Sequence, residues 1–335
     1  MVRNAWARCR FGLPSRAVPV IHGARSLPEV LPGCALTLGA FDGVHLGHQA
    51  LIARATAAAR QHQVLSLGYT FHPHPTKVLA PAAAAPTLMG VEERARVMLG
   101  YGLDRVLVEP FDLSFSEVDR DQFVEEYLLR LSPRHVVVGF NFAYGKGRRG
   151  DTEHLIKAGE RHGFEVEIVA PVEQEGRPIS STRVRERLLA GDLQGAERLL
   201  GHRHGLTGTV VEGDRRGRTI GFPTANLLPE AELLPAFGVY ATRVNLFEGD
   251  GLEPPLHGVT NIGRRPTFAG ERPTIETFLL DFNGDLYGRR LRIELCAYLR
   301  PELRFPGLDA LKAQLNFDVD QARNALAALP VEPPR

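Results

Sequence analysis

Two histidines three residues apart, His45 and His48, close the segment Gly39-Ala-Phe-Asp-Gly-Val-His-Leu-Gly-His48, where the apolar run Ala35–Leu38 gives way to a helical pattern. Glycines here let the backbone turn tightly and approach a ligand. A helix that starts from such a loop offers free N–H groups and the positive end of its dipole to a phosphate. Imidazoles placed there can stabilise charge that develops on a phosphoryl group. HxGH alone is a weak signal, but Gly39, Phe41 and Gly43 at their offsets lower its chance occurrence by a further factor of about 2,000.

Other segments carry related chemistry. Ile179-Ser-Ser-Thr-Arg-Val-Arg185 places Ser180, Ser181, Thr182 and Arg183 at a helix start, where they suit polyphosphate oxygens, although the segment by itself reads first as an ordinary Ser/Thr cap. Gly208, Gly213, Gly217 and Gly221 recur through a β-rich stretch, a spacing that by itself reads first as a glycine-rich hairpin and next as a loop whose backbone amides approach phosphates. Just beyond, Pro223 fixes the chain before Thr224 and Asn226, which face the same way in an extended segment. Neutral oxygen ligands of this kind, supplemented by nucleotide phosphates, suit Mg²⁺. In Phe71-His-Pro-His-Pro75 no third ligand accompanies His72 and His74, so no metal is read there. Lys146, Arg148 and Arg149 read as a solvated loop, with phosphate contact the next alternative.

The elements that position these residues follow from periodicity. Strand-like runs at Val18–His22, Ala35–Leu38, Val64–Phe71, Arg105–Val108, His135–Val138 and Val166–Ala170 alternate with helical patterns at Gly47–Gln61, Glu92–Gly100, Arg120–Leu131 and Thr152–His162. That alternation predicts a parallel sheet covered on both faces, with ligands at the carboxyl ends of its strands. Beyond two short helices, Thr182–Ala190 and Leu193–Leu200, β-rich runs at Leu206–Val211, Val239–Leu246, Thr274–Phe282 and Leu291–Leu299 predict an antiparallel sheet or small barrel. An amphipathic helix over Leu308–Leu329 closes the chain. The organisation expected is an extension over 1–17, an α/β domain over 18–186, a connector over 187–203 and a β domain over 204–330.

Composition sets the outer limits. The 335 residues carry 40 Lys and Arg against 39 Asp and Glu, too small a basic surplus for a general nucleic-acid binder. No apolar stretch approaches the roughly 18 residues needed to cross a bilayer, so no membrane span is expected. Cys9, Cys34 and Cys296 lie far apart without a CxxC pair, which excludes a disulfide scaffold and a zinc ribbon and fits a reducing cytoplasm. The Arg-rich first residues lack the amphipathic period of a transit peptide, and a disordered extension or over-long start is the preferred reading.

The first segment resembles the GxFDGxHxGH signature of bacterial FAD synthetases, members of the HxGH nucleotidyltransferase superfamily. Gly139-Phe-Asn-Phe-Ala-Tyr-Gly-Lys-Gly-Arg-Arg-Gly-Asp151 is similar to the family's second loop, with Asn141 in place and Tyr144 where Phe is usual. Ile179–Arg185 is similar to its I-S-S-T-x-I-R motif, with Val184 for Ile. Gly221-Phe-Pro-Thr-Ala-Asn226 resembles the riboflavin kinase signature, and Gly258–Phe268 and Glu276–Phe282 fit the same pattern. The resemblance implies a Rossmann-like domain followed by a six-stranded antiparallel barrel with a C-terminal helix. It implies ATP, riboflavin, FMN and FAD as substrates and products. It assigns His45 and His48 to adenylyl transfer, with Gly39, Phe41, Asp42, Gly43, Asn141, Ser181, Thr182 and Arg183 around the nucleotide. It places Gly213, Gly217 and Gly221 in the kinase's phosphate loop, Thr224 and Asn226 on Mg²⁺, and Glu276 as general base. Two rivals are an adenylyltransferase acting on pantetheine phosphate or a nicotinamide nucleotide, and a non-catalytic nucleotide or RNA binder. The kinase-like half argues against the first, and the near-zero net charge with a full set of motif residues argues against the second.

Overall fold

The computed structural model describes residues 20–27, 31–213, 216–248, 251–252, 255–267 and 270–329. The extension expected over 1–17 lies outside them. Six strands form one all-parallel sheet: β1 (Val20–His22), β2 (Cys34–Leu38), β3 (Leu65–His72), β4 (Arg105–Pro110), β5 (Pro133–Gly139) and β6 (Glu165–Val169), in the order β1-β4-β3-β2-β5-β6. Helices cover both faces. Ile52 and Ala55 of α1 (Leu46–His62) and Met98 of α2 (Val91–Gly100) pack with Val106, Val108 and Val137 on one side. Phe123, Tyr127 and Leu128, with Leu155 of α3 (Thr152–His162), pack with Leu36, Tyr69, Val136 and Val138 on the other.

Strand order reverses direction between β2 and β5, so the loops that follow these two strands leave the sheet on either side of one crevice. Such a switch point is where open α/β sheets bind ligands. The loop after β2 carries His45 and His48, and the loop after β5 carries Asn141. The helix expected over Arg120–Leu131 forms as three short pieces, the middle one, Phe123–Leu128, widened into a π-turn. Phe123, Val124, Tyr127 and Leu128 are all buried, and the wider turn sets both adjacent pairs against the sheet.

Helices α4 (Ser181–Leu189) and α5 (Leu193–Leu200) lead into the second half. There β7 (Gly205–Val211), β8 (Thr224–Pro229), β9 (Gly238–Glu248), β10 (Leu256–Thr267), β11 (Gly270–Leu279) and β12 (Arg290–Arg300) close an antiparallel barrel in the order β9-β10-β11-β8-β7-β12, with β12 returning to β9. Leu206, Tyr240, Val244, Ile262, Ile275, Leu291 and Ile293 fill it. The C-terminal α6 (Leu308–Ala327) lays Ala322 and Leu326 against Val239, Ala241 and Val259 on the outside. Arg300 grips Asp318 of that helix through two hydrogen bonds of 2.8 and 2.6 Å.

The sequence reads the start of β8 as an extended segment, but β10 has no strand pattern of its own there. Gly258, Gly263 and Pro266 punctuate β10 as they would a loop. Pairing on both sides in a closed barrel overrides that local preference. The boundary expected between 186 and 187 falls inside α4. The two halves meet across α2 and β12: Arg292 donates to Glu93 at 2.6 Å, and Arg290 pairs with Glu92 and Glu230 at 2.9 and 2.6 Å. Arg96 and Arg290 both lie over the ring of Phe247, at 4.1 and 4.7 Å.

Candidate active sites

The chain leaves β2 through a loop that is held from beneath. Phe41 (φ 51), Gly43 (φ 84) and Val44 (φ 40) all take left-handed backbone conformations, so the loop folds back sharply before α1 begins. Phe41 is fully buried and packs in the core below. Asp42 is buried as well: its carboxylate accepts the Leu88 N–H at 2.9 Å and pairs with Arg185. Burial outweighs Arg185 and pushes that carboxyl above the ordinary range. A side chain at Gly43 would strike Leu88, 2.6 Å from the position a Cβ would occupy. Phe41 and Asp42, expected around the nucleotide, thus support the loop from inside and present no side chain to the crevice.

The two histidines are what this scaffold leaves at the head of α1. His45 caps the helix, its Nδ1 accepting the backbone N–H of His48 at 3.3 Å. That bond places the proton of the neutral ring on Nε2, where it is free to be donated. The two rings stack at 3.6 Å between centroids, and Phe41 lies 5.1 Å below His48. Burial pushes His45 down to about 4, with Arg185 and His202 adding to the effect, and pushes His48 well below its ordinary value, with His45 and Arg94 adding to it. Both are therefore neutral at pH 7. His48 Nδ1 is buried without a hydrogen-bond partner.

The start of α4 is fastened to the same loop. Ser181 Oγ donates to the Asp42 carbonyl at 2.9 Å, and Ser180 caps the helix by accepting the Arg183 N–H at 3.4 Å. Thr182 is exposed beside them. Arg183 has a different job from the expected phosphate contact. Its guanidinium is buried and donates to the carbonyls of Gln174, Arg177 and Pro178 at 3.1, 2.8 and 3.0 Å, tying down a short hairpin. Arg185, two residues on, is the arginine of this motif that reaches the loop.

Sequence reasoning missed Arg94. It is buried in α2 and donates to the carbonyls of Ala40 and Phe71 at 2.8 and 2.7 Å, joining the loop after β2 to the carboxyl end of β3. Its Nε is buried without a partner, and burial lowers it to about 10, still charged at pH 7. No local signal marks it among the charges of Val91–Gly100. Across the crevice, Asn141 is exposed in the loop after β5. Tyr144 is buried there, and the hydroxyl that sets it apart from the expected Phe is hydrogen-bonded to His154 Nδ1 at 2.8 Å.

The second cluster lies on the barrel. Asn226 of β8 pairs in register with Glu276 of β11, which pairs in turn with Asn261 of β10. Residues directly opposite in adjacent strands share a face, and Thr224, two residues from Asn226, joins them. Their neighbours Ile275 and Thr277 are buried in the barrel, so this face looks outward. Gly213 and Gly217 close over it: a Cβ on Gly213 would overlap the Asn226 amide, and one on Gly217 would overlap the Phe222 carbonyl beside Thr224. Gly221 takes φ 91 at the turn back into β8. Next to Thr224 opens a cleft of about 220 Å³, lined among others by Pro223, Thr277, Phe282, Asp285 and Tyr287. Asn261 sits in a segment whose motif was legible, but only the register sets it beside Glu276.

Comparison with known proteins covers both clusters. The family model for FAD synthetase matches residues 27–183, and that for riboflavin kinase matches residues 200–326. The bifunctional riboflavin kinase/FMN adenylyltransferase of Escherichia coli K12 is 41% identical over 304 residues, 90% of this chain and 95% of that one. The Bacillus subtilis protein of the same name is 34% identical, covering 92% and 97% of the two chains. A solved structure described as a macrolide-efflux protein from Streptococcus pneumoniae superposes with a TM-score of 0.79 at 31% identity, over 92% of this chain and 99% of that one. Among the described residues of this chain no helix is long and apolar enough to cross a membrane. With both family models matched in order and relatives 34–41% identical over about 90% of the chain, the chain belongs to the bifunctional riboflavin kinase/FMN adenylyltransferase family.

Proposed function

We propose that the two reactions of this family are divided between the two clusters. The chain transfers the γ-phosphate of ATP to the 5′-hydroxyl of riboflavin, giving FMN and ADP, and then adenylylates FMN with a second ATP, giving FAD and pyrophosphate. The observation that carries the assignment of the second step is the pair of neutral, stacked imidazoles at the N-terminus of α1, one with a buried ring nitrogen lacking any partner. ATP phosphates laid against that helix end meet its free N–H groups. His45 donates from Nε2, and His48 and the fixed charge of Arg94 face the same region, so charge that builds on the α-phosphate is met by donors already in place. An FMN phosphate oxygen forms the new bond to the α-phosphorus while the bond to the pyrophosphate oxygen breaks. The nucleophile is already ionised, so no general base is needed.

On the barrel, Glu276 takes the proton of the riboflavin hydroxyl as the γ-phosphate is transferred. Thr224 and Asn226 fit Mg²⁺ by their chemistry: two neutral side-chain oxygens on one face, beside a carboxylate and under a glycine loop. Bound there with ATP, the ion would neutralise phosphate charge. The loop carrying Gly213, Gly217 and Gly221 brings backbone amides over the phosphates. The cleft beside Thr224 is the expected seat of the flavin ring. Incubation with riboflavin, ATP and Mg²⁺, with flavins separated over time, should show FMN rising first and FAD following. FAD formed from riboflavin without FMN ever accumulating or exchanging would contradict two separate sites.

A further inference from the structure

At the end of the parallel sheet opposite the phosphate loop, three ligand-bearing side chains meet that belong to none of the motifs. His62 is the last residue of α1, His135 lies near the start of β5, and Glu165 begins β6. The strands pair so that His135 stands directly beside Glu165. One ligand atom from each residue lies within 4.8 Å of the other two. His135 Nδ1 is 3.1 Å from Glu165 Oε2, and His62 Nε2 is 3.8 Å from the same oxygen. Ligands arranged tetrahedrally at zinc bond lengths stand roughly 3.3 Å apart, so these atoms need little movement to close on one ion.

We propose that His62 Nε2, His135 Nδ1 and Glu165 Oε2 form a site for a divalent transition-metal ion, with Zn²⁺ the best fit, tying the end of α1 to β5 and β6. Two further observations point to a ligand. His62 Nε2 is buried and has no hydrogen-bond partner. His135 Nε2 lies 3.2 Å from Glu167 Oε2, and Arg54 Nε holds the other oxygen of Glu167. A proton on Nε2 donated to Glu167 leaves the Nδ1 lone pair facing a carboxylate oxygen, a contact that a metal ion bound by both atoms would relieve. Metal-bound histidines are usually oriented by a carboxylate on the far ring nitrogen in this way.

Two imidazoles and one carboxylate suit Zn²⁺ and disfavour Mg²⁺, which prefers oxygen ligands and keeps much of its water. Glu165 is exposed, so the fourth position opens to solvent. The three residues lie 30 to 103 positions apart in the chain, which is why no ligand spacing shows in the sequence.

The test is Zn²⁺ titration of the full chain, stripped with chelator and held in excess Mg²⁺, against a chromophoric competitor, with Co²⁺ absorbance as a second readout. The wild-type chain should take one equivalent of Zn²⁺, show the intense visible bands of four-coordinate Co²⁺, and melt at a higher temperature with Zn²⁺ than without. Glu165→Gln, an exposed change that leaves packing intact, should abolish the Co²⁺ bands and most of the Zn²⁺-linked rise in Tm. Glu167→Gln should weaken affinity by about 10–100-fold. His48→Ala, at the other histidine pair, should leave this binding in place. Binding only in the millimolar range, or tight binding unaltered by Glu165→Gln and His62→Ala, overturns the proposal. A cluster held by a protonated His135 between Glu165 and Glu167 would show none of these metal effects.

Discussion

The imidazole of His45 lies within 14° of parallel to that of His48, and its Nδ1 receives the His48 backbone N–H. One residue therefore serves as helix cap and as donor, and it fixes the orientation of the next. The loop can keep two neutral rings side by side because Phe41, Asp42 and Arg94 hold the backbone from below.

Removal of the ring at His48 should be felt only in adenylyl transfer. His48→Ala should lower FAD synthesis from FMN by about 10²–10³, with riboflavin phosphorylation near wild type. His45→Asn preserves an N-cap acceptor, so stability should change by less than about 1 kcal/mol, yet FAD synthesis should fall in the same way. Steady-state assays of each half-reaction, paired with thermal melts, check both. Unimpaired FAD synthesis in His48→Ala would remove this loop from the chemistry.

Glu276 and Thr224 stand on one barrel face but are asked for different things. Glu276→Gln keeps size and hydrogen-bonding reach and cannot accept a proton, so FMN formation should fall by about 10²–10⁴. Thr224→Val removes an oxygen ligand, and its loss should be partly restored by raising Mg²⁺. A Mg²⁺ titration of both variants separates the roles; rescue of Glu276→Gln by the metal would mean it is no general base.

The contact between the halves has one buried ion pair at its centre. Burial alone would raise the Glu93 carboxyl, but Arg292 and Arg96 beside it hold it below the ordinary range. Breaking such a pair costs about 3–5 kcal/mol; Glu294, still 3.3 Å from Arg292, places Glu93→Ala at the lower end. Urea unfolding should show the loss, and a change below about 1 kcal/mol would contradict it. A fragment of residues 191–335, which begins after α4 instead of inside it, should phosphorylate riboflavin and make no FAD. A folded but inactive fragment would show that the kinase half depends on α2.

Acid should weaken the fold through its buried histidines. Burial holds His45 and His74 at about 4 and His204 at about 3, against about 6.5 in an unfolded chain. Between those values the unfolded state binds more protons, so stability is full above pH 6.5 and falls as pH drops toward 4. His204 Nε2 is buried without a partner, so His204→Leu should flatten this slope without the loss of a hydrogen bond at that nitrogen. Tm measured from pH 7.5 to 4.5 tests it; equal slopes in both proteins would count against the buried neutral imidazole.

Much of this protein was written in local pattern. Alternating apolar runs and helical periods located all six strands of the parallel sheet, because its four inner strands are largely buried and read as near-continuous apolar runs set between helical patterns. His45, His48, Thr224, Asn226 and Glu276 stood out because short-range spacing on a loop or strand is preserved in the fold. Tertiary structure decided what distance in sequence conceals. It buried Phe41 and Asp42 under the loop they spell, turned Arg183 toward a hairpin, and brought Arg94 from α2 to the loop after β2 and the end of β3. It set Asn261 opposite Glu276 through strand register and drew His62, His135 and Glu165 to one corner. The reason is the same in each case. A residue's type and neighbours limit what it can do, but the partner that satisfies its charge, its donor or its lone pair is supplied by another segment, and only closure of the sheet and barrel chooses which.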